Sequence, residues 1–173
     1  MKTAMAAVCA VVLSLAFMGH AHSNESAVQA AGGDGAAAFE KLKSLIGEWD
    51  APLKDGVMTD IFRPMGSGTA ILHEEWKNGE QLTATVFYLV GSELRADHFC
   101  DLGNQLHYAA VKSDDPDALA LKLRDSTNLD THPKHYHGVT LHFIDANHHN
   151  QDWELMTPGK DTKVVRLVFT RKT

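Results

Sequence analysis

Two pairs of side chains in this chain are of types that bind metals, ligate haem or move protons, and each pair is spaced two residues apart. His98 and Cys100 lie within Asp97-His98-Phe99-Cys100-Asp101-Leu102-Gly103-Asn104-Gln105, and His135 and His137 within His135-Tyr136-His137-Gly138-Val139. In a strand, residues i and i+2 point to one face. His98 and Cys100 then share a face with Leu94 and Ala96, and His135 and His137 share one with Val139, Leu141 and Phe143. Thiolate and imidazole together suit zinc, with bonds of roughly 2.0–2.3 Å. Neither His-x-Cys nor His-x-His is a structural-zinc spacing, so the pattern favours an open site over a closed one. The same imidazoles suit axial ligation of haem, and a histidine beside Cys100 suits thiol activation. The plain alternative is a polar cluster that hydrogen-bonds across a cavity mouth and holds Asn104 and Gln105 in place. All six residues, His98, Cys100, Asn104, Gln105, His135 and His137, form the expected ligand-binding set, the first, second and last two as metal ligands.

Strands must position them. From Trp49 on, alternation and turn chemistry predict strands at 47–53, 57–64, 68–77, 81–90, 93–101, 105–112, 118–124, 135–145, 149–157 and 163–171. Asn78-Gly79 and Gly91-Ser92 suit tight hairpins. About ten short strands in an antiparallel up-and-down meander are best closed into a barrel, which removes the sheet edges. Residues 125–134 read as a loop over one end. If the strands alternate in direction, the end of the fifth and the start of the eighth meet at one rim, beneath that loop. In the third strand, either His73 and Glu75 or Glu74 and Trp76 point inward, and a carboxylate there suits a metal or a general base. His142 is expected to face out and His148 and His149 to lie in a surface turn, while His107 is open to either face. Trp49 and Trp153 read as core.

The chain has 173 residues and a net charge of −6, with acidic and basic residues well mixed, which argues against nucleic acid as a partner. Lys2, the apolar run from Ala4 to Met18 and Gly19-His20-Ala21 have the form of an export signal, expected to be cut after Ala21. The run is too short for a membrane anchor. Loss of Cys9 with the signal leaves Cys100 unpaired in the monomer, buried or half-buried as a small hydrophobe. Residues 22–38 read as a flexible Ala/Gly/Ser leader. Phe39 to Ile46 has helical spacing, stopped by Gly47, so the expected domain is 39–173.

The short helix running into Gly47-Glu48-Trp49 resembles the start of calycin barrels (lipocalins, fatty-acid-binding proteins and nitrobindins). That resemblance implies an arginine near the end of the last strand packed on the tryptophan, here Arg166 or Arg171; strand order separately puts Trp49 at the end opposite the 125–134 loop. A further resemblance is to uncharacterised secreted bacterial proteins with a lipocalin-like domain, carried by His98-Phe99-Cys100-Asp101-Leu102-Gly103-Asn104-Gln105, His135-Tyr136-His137-Gly138 and Asp145-Ala146-Asn147-His148 with Trp153. It departs from them where Leu106-His107 replaces a proline, and it implies a fold without an activity.

The expectation is an exported, periplasmic or secreted binder of a small apolar ligand, haem or a metal such as zinc, as a monomer or homodimer. The alternatives are a Cys/His- or metal-dependent enzyme and an envelope interaction module with a structural polar rim. No Gly-x-Ser-x-Gly, His-Glu-x-x-His or phosphate loop occurs.

Overall fold

The structure, a computed structural model, describes residues 35–173, so the expected export signal and residues 22–34 of the leader lie outside the described residues. A helix, α1 (Gly35–Lys43), precedes ten strands: β1 (Gly47–Leu53), β2 (Gly56–Met65), β3 (Ala70–Lys77), β4 (Glu80–Val90), β5 (Glu93–Phe99), β6 (Gln105–Val111), β7 (Ala118–Ser126), β8 (His135–Asp145), β9 (His148–Met156) and β10 (Lys163–Arg171). Each strand pairs antiparallel with its sequence neighbour, and β1 pairs with β10 to close the barrel. The expected all-β, ten-stranded up-and-down barrel with a short N-terminal helix is therefore the observed one. Asn78 and Gly79 both take left-handed backbone (φ 52° and 86°), as a two-residue hairpin turn requires.

The helix starts earlier than its hydrophobic spacing indicates. Ala36, Ala37 and Ala38 are strong helix formers and extend it back to Gly35, into the expected leader. Gly35 donates its N–H to the carbonyl of Ser92 at 3.2 Å, and a Cβ there would meet that oxygen at 2.2 Å. The helix thus rests on the β4–β5 turn because its first residue has no side chain. Its last turn tightens, with Ser44, Leu45 and Ile46 donating to carbonyls three residues back.

Alternating strand directions put α1, the start of β1 and the end of β10 at one end. The five loops 54–55, 78–79, 100–104, 127–134 and 157–162 lie at the other. The first end is closed. Trp49 is fully buried there, with Phe39 and Leu42 of α1 in the same core, and its indole N–H donates to Leu45 O at 2.7 Å. The β1–β10 seam has only two residue pairs in register, Trp49 with Arg171 and Asp50 with Thr170. Arg171 reinforces it: the guanidinium lies 3.9 Å above the Trp49 ring and donates to Ser44 O (2.7 Å), Ile46 O (2.9 Å) and Ala146 O (2.9 Å). Arg166 instead pairs with Asp152.

Arg171→Ala removes three hydrogen bonds from a cation and one cation–π contact, and should cost about 2–3 kcal/mol. Arg171→Lys, with one point charge in place of the planar fork, should recover less than half of it. Urea unfolding of the three proteins checks this; a loss below about 0.5 kcal/mol for Arg171→Ala would contradict the role of the clamp.

Candidate functional site

The interior is not uniformly apolar. Along β2 the inward alternation runs Met58, Asp60, Phe62, and along β3 it runs Ile71, His73, Glu75, which resolves the open alternation in favour of His73 and Glu75. Register then lines polar groups across four strands. Asp60 faces Glu75, which faces Thr83; Phe62 faces His73, which faces Thr85, which faces His98. Asp60, His73, Glu75, Thr83, Thr85 and His98 are all buried.

The far wall completes the cluster. His149 and Gln151 of β9 are fully buried, and Gln151 donates to Asp60 Oδ2 at 2.5 Å. The indole N–H of Trp153 donates to Gln151 Oε1 at 2.9 Å, which fixes the amide with its nitrogen toward Asp60. Asp60 Oδ2 also lies 3.0 Å from His73 Nε2 and 3.7 Å from His149 Nε2. Asp60 Oδ1, His73 Nε2 and His149 Nδ1 are buried without a hydrogen-bond partner. His73 stacks on Phe62 (4.1 Å between centroids) and His149 on Phe169 (4.7 Å), which fixes both rings. Glu75 accepts from Thr83 Oγ1 at 2.5 Å, and His98 Nδ1 lies 2.8 Å from Thr85 Oγ1.

Burial sets the protonation of the row. It lowers His73 to about 4, against the pull of Glu75 and Glu74, and lowers His98 to about 3, with His73 adding to the effect. It lowers His149 as well, against Asp60. Asp60 and Glu75 are both raised above the usual carboxylate range, mainly by burial, with Asp60 further raising Glu75. At neutral pH the imidazoles are neutral.

Above the row, a cavity of about 220 Å³ opens toward the loop end, its walls including Leu53, Met58, Leu82 and Leu167 and its polar groups including Glu75, Thr83 and His98. The buried His98 Nε2 has no hydrogen-bond partner. Ligand pockets commonly span roughly 300–1,000 Å³.

The expected set of four is brought to one rim but not into one cluster. His98 faces the interior. Cys100 lies just past β5, half-buried, in a turn held by Cys100 N–H to Asn104 O and Gly103 N–H to Cys100 O, each at 3.1 Å. Its Sγ contacts Asp101 Oδ1 at 3.6 Å, and burial pushes the thiol up to about 12, which disfavours the thiolate. In β8, one extra residue sits between Tyr136 and Val139, which pair with Leu155 and Trp153. This bulge shifts the side-chain phase. Tyr136 takes the inward position and lines the cavity, His137 is exposed, and His135 is buried with Nδ1 2.9 Å from Pro133 O. Among the described residues, the set of three potential ligands that brings its atoms within 4.8 Å of one another is Asp60, His73 and Glu75.

Asn104 and Gln105 pin the loop. Asn104, fully buried, donates to His132 O (3.0 Å) and Lys134 O (2.9 Å). Gln105 accepts at its side chain from Thr127 Oγ1, and its N–H donates to the same oxygen at 3.1 Å. His107 and His142 pair with Asp97 and Asp152 outside the lumen. His149 corrects the expected surface turn: β9 begins at His148, and inward alternation then carries His149, Gln151 and Trp153. Asp60 and Gln151 were legible as polar residues two positions from Phe62 and Trp153, in phase with them.

The fold and interior together define a closed up-and-down β-barrel with a polar floor beneath a small mouth cavity. No family model matches the chain, and no curated protein matches it. Among solved structures it is similar to the protein Rv2717c from M. tuberculosis, at 14% identity and a TM-score of 0.54, over 79% of this chain and 98% of that one. At that identity the likeness shows the barrel fold. No helix among the described residues is long and apolar enough to cross a membrane.

A histidine lowered from 6.5 to about 3 is neutral in the folded protein while the unfolded chain takes up its proton. Its contribution to stability is intact above pH 6.5 and is lost progressively as pH falls toward 3. Relative to His98→Gln, the wild type should lose a further 1.4 kcal/mol or so per pH unit between about pH 6 and 4. Unfolding free energies measured across that range check this; parallel curves would show an imidazole that is not held neutral.

Proposed function

We propose that this protein is an exported binder of a small, mainly apolar molecule carrying one polar end, held in the mouth cavity. The observation that carries this reading is the lining. Aliphatic walls from β1, β2, β4 and β10 surround a floor where Glu75, Thr83 and the unpartnered His98 Nε2 converge. Pockets of that kind take their affinity from the apolar walls and their orientation from the few polar groups. At about 220 Å³ the cavity suits a single small ring or a short chain better than a lipid tail. His98 is the member of the expected rim set that serves as a ligand contact; Cys100, Asn104 and Gln105 shape and fasten the rim around it. The export reading rests on Lys2 and the apolar run behind it. The thiol-dependent form of the enzyme alternative is disfavoured by burial of Cys100, which raises its thiol to about 12.

Indole is a suitable probe. Calorimetric titration should show saturable binding of one equivalent, and indole at tenfold its Kd should raise stability by about 1.4 kcal/mol. Leu167→Trp, which fills the cavity from β10, should weaken binding at least tenfold with the fold intact. Absence of saturable binding to the wild type, or binding unchanged by Leu167→Trp, would overturn the assignment.

A further inference from the structure

We propose that Asp60, His73 and Glu75 form a binding site for one zinc-class divalent cation in the floor of the barrel, distinct from the rim residues and sharing Glu75 with the mouth cavity. Three observations carry it. First, the donors are near enough to share an ion: their ligand atoms lie within 4.8 Å of one another, on adjacent strands whose register sets Asp60 directly opposite Glu75. Two carboxylate oxygens and one imidazole nitrogen are a donor set that zinc accepts, with a coordination position left over.

Second, the site has buried polar atoms that make no hydrogen bond. Asp60 is 0% and His73 2% exposed, and Asp60 Oδ1 and His73 Nε2 lack hydrogen-bond partners. Leaving such atoms unpaired costs about 1–3 kcal/mol each. A cation placed among them satisfies both at once. Two carboxylates also cancel the charge of a divalent ion, so the loaded site is neutral, which a buried site requires.

Third, the surrounding groups hold the donors as metal ligands are usually held. Gln151 donates to Asp60 Oδ2 at 2.5 Å and leaves Oδ1 free, with its amide oriented by Trp153. Thr83 donates to one oxygen of Glu75. The Phe62 face fixes the plane of the His73 ring. Such supporting contacts set ligand orientation and tune affinity. Glu75 also borders the mouth cavity, which gives an ion a path in and leaves its open position facing that space.

The test uses untagged protein over residues 22–173, stripped with chelator and titrated with zinc chloride alone at neutral pH. Calorimetry and metal analysis after dialysis should give one equivalent per chain. Asp60→Asn and Glu75→Gln, close in shape to the native side chains, should each weaken binding at least tenfold. His137→Ala, at the exposed rim, should leave it unchanged. Near-ultraviolet circular dichroism establishes that each variant is folded. Should one of them fail to fold, the absorption of cobalt-substituted wild type decides: intense d–d bands near 550–650 nm without thiolate charge transfer support a buried site of low coordination number built from oxygen and nitrogen donors. Zinc uptake that survives in folded Asp60→Asn and Glu75→Gln, uptake lost in His137→Ala, a thiolate band from Cys100, or no stoichiometric uptake by the wild type would each overturn the proposal. Indole binding reads the mouth cavity separately, so failure of one assignment leaves the other standing.

Discussion

Asp60 is a carboxyl with no access to water, and the rest of the interior is arranged around that fact. In a closed barrel it has no edge or loop through which to solvate itself, and burying an ionised carboxylate costs several kcal/mol unless it is well compensated. Compensation comes from β9. Gln151 donates to it and His149 lies 3.7 Å away, while His73 stands beside it without a hydrogen bond. His149 in turn meets the Trp49 ring edge-on at 4.6 Å, and Gln151 is held by Trp153. One polar chain therefore runs from the tryptophan of the closed end to the tryptophan below the mouth. Replacing buried charged groups by apolar residues of matching shape is often neutral or stabilising, so these groups are not there for stability alone.

The rim obeys a different constraint. Residues 127–134 bridge β7 and β8 without strand structure, and a single buried asparagine ties two of their carbonyls to the β5–β6 turn. Gly103 is left-handed there (φ 90°), and a Cβ on it would come within 2.4 Å of the His132 ring. The turn and the loop thus close on each other only because that residue is glycine. The bulge after Tyr136 belongs to the same arrangement. It carries an aromatic ring over the mouth, 5.3 Å from Trp153, and sends His137 to solvent.

The architecture was almost wholly legible in the sequence, because strand alternation and turn residues are local signals and barrel closure follows once ten strands need their edges removed. An arginine over Trp49 was implied by the calycin resemblance, which left Arg166 and Arg171 both open; the structure has Arg171 there. The site was legible only in outline. The rim position of His98 and His135 follows from strand direction, but the facing of His135 and His137 depends on one bulge residue that no spacing reveals. Asp60 was passed over because a lone aspartate in a strand looks like a solvated one. Its phase with Met58 and Phe62 was the signal. His149 was lost to a turn placed one residue too late, since His148 already opens β9.

The central claim is that the barrel floor is a dry cluster of neutral imidazoles around buried carboxyls. Nitrogen-15 NMR of the histidine rings tests it most directly, since the two ring-nitrogen shifts report protonation and tautomer residue by residue. In metal-free protein, His73 and His98 should each stay in one neutral tautomer from pH 8 down to pH 5. Protonation of His73 or His98 near pH 6.5 would place water in the floor and contradict the account.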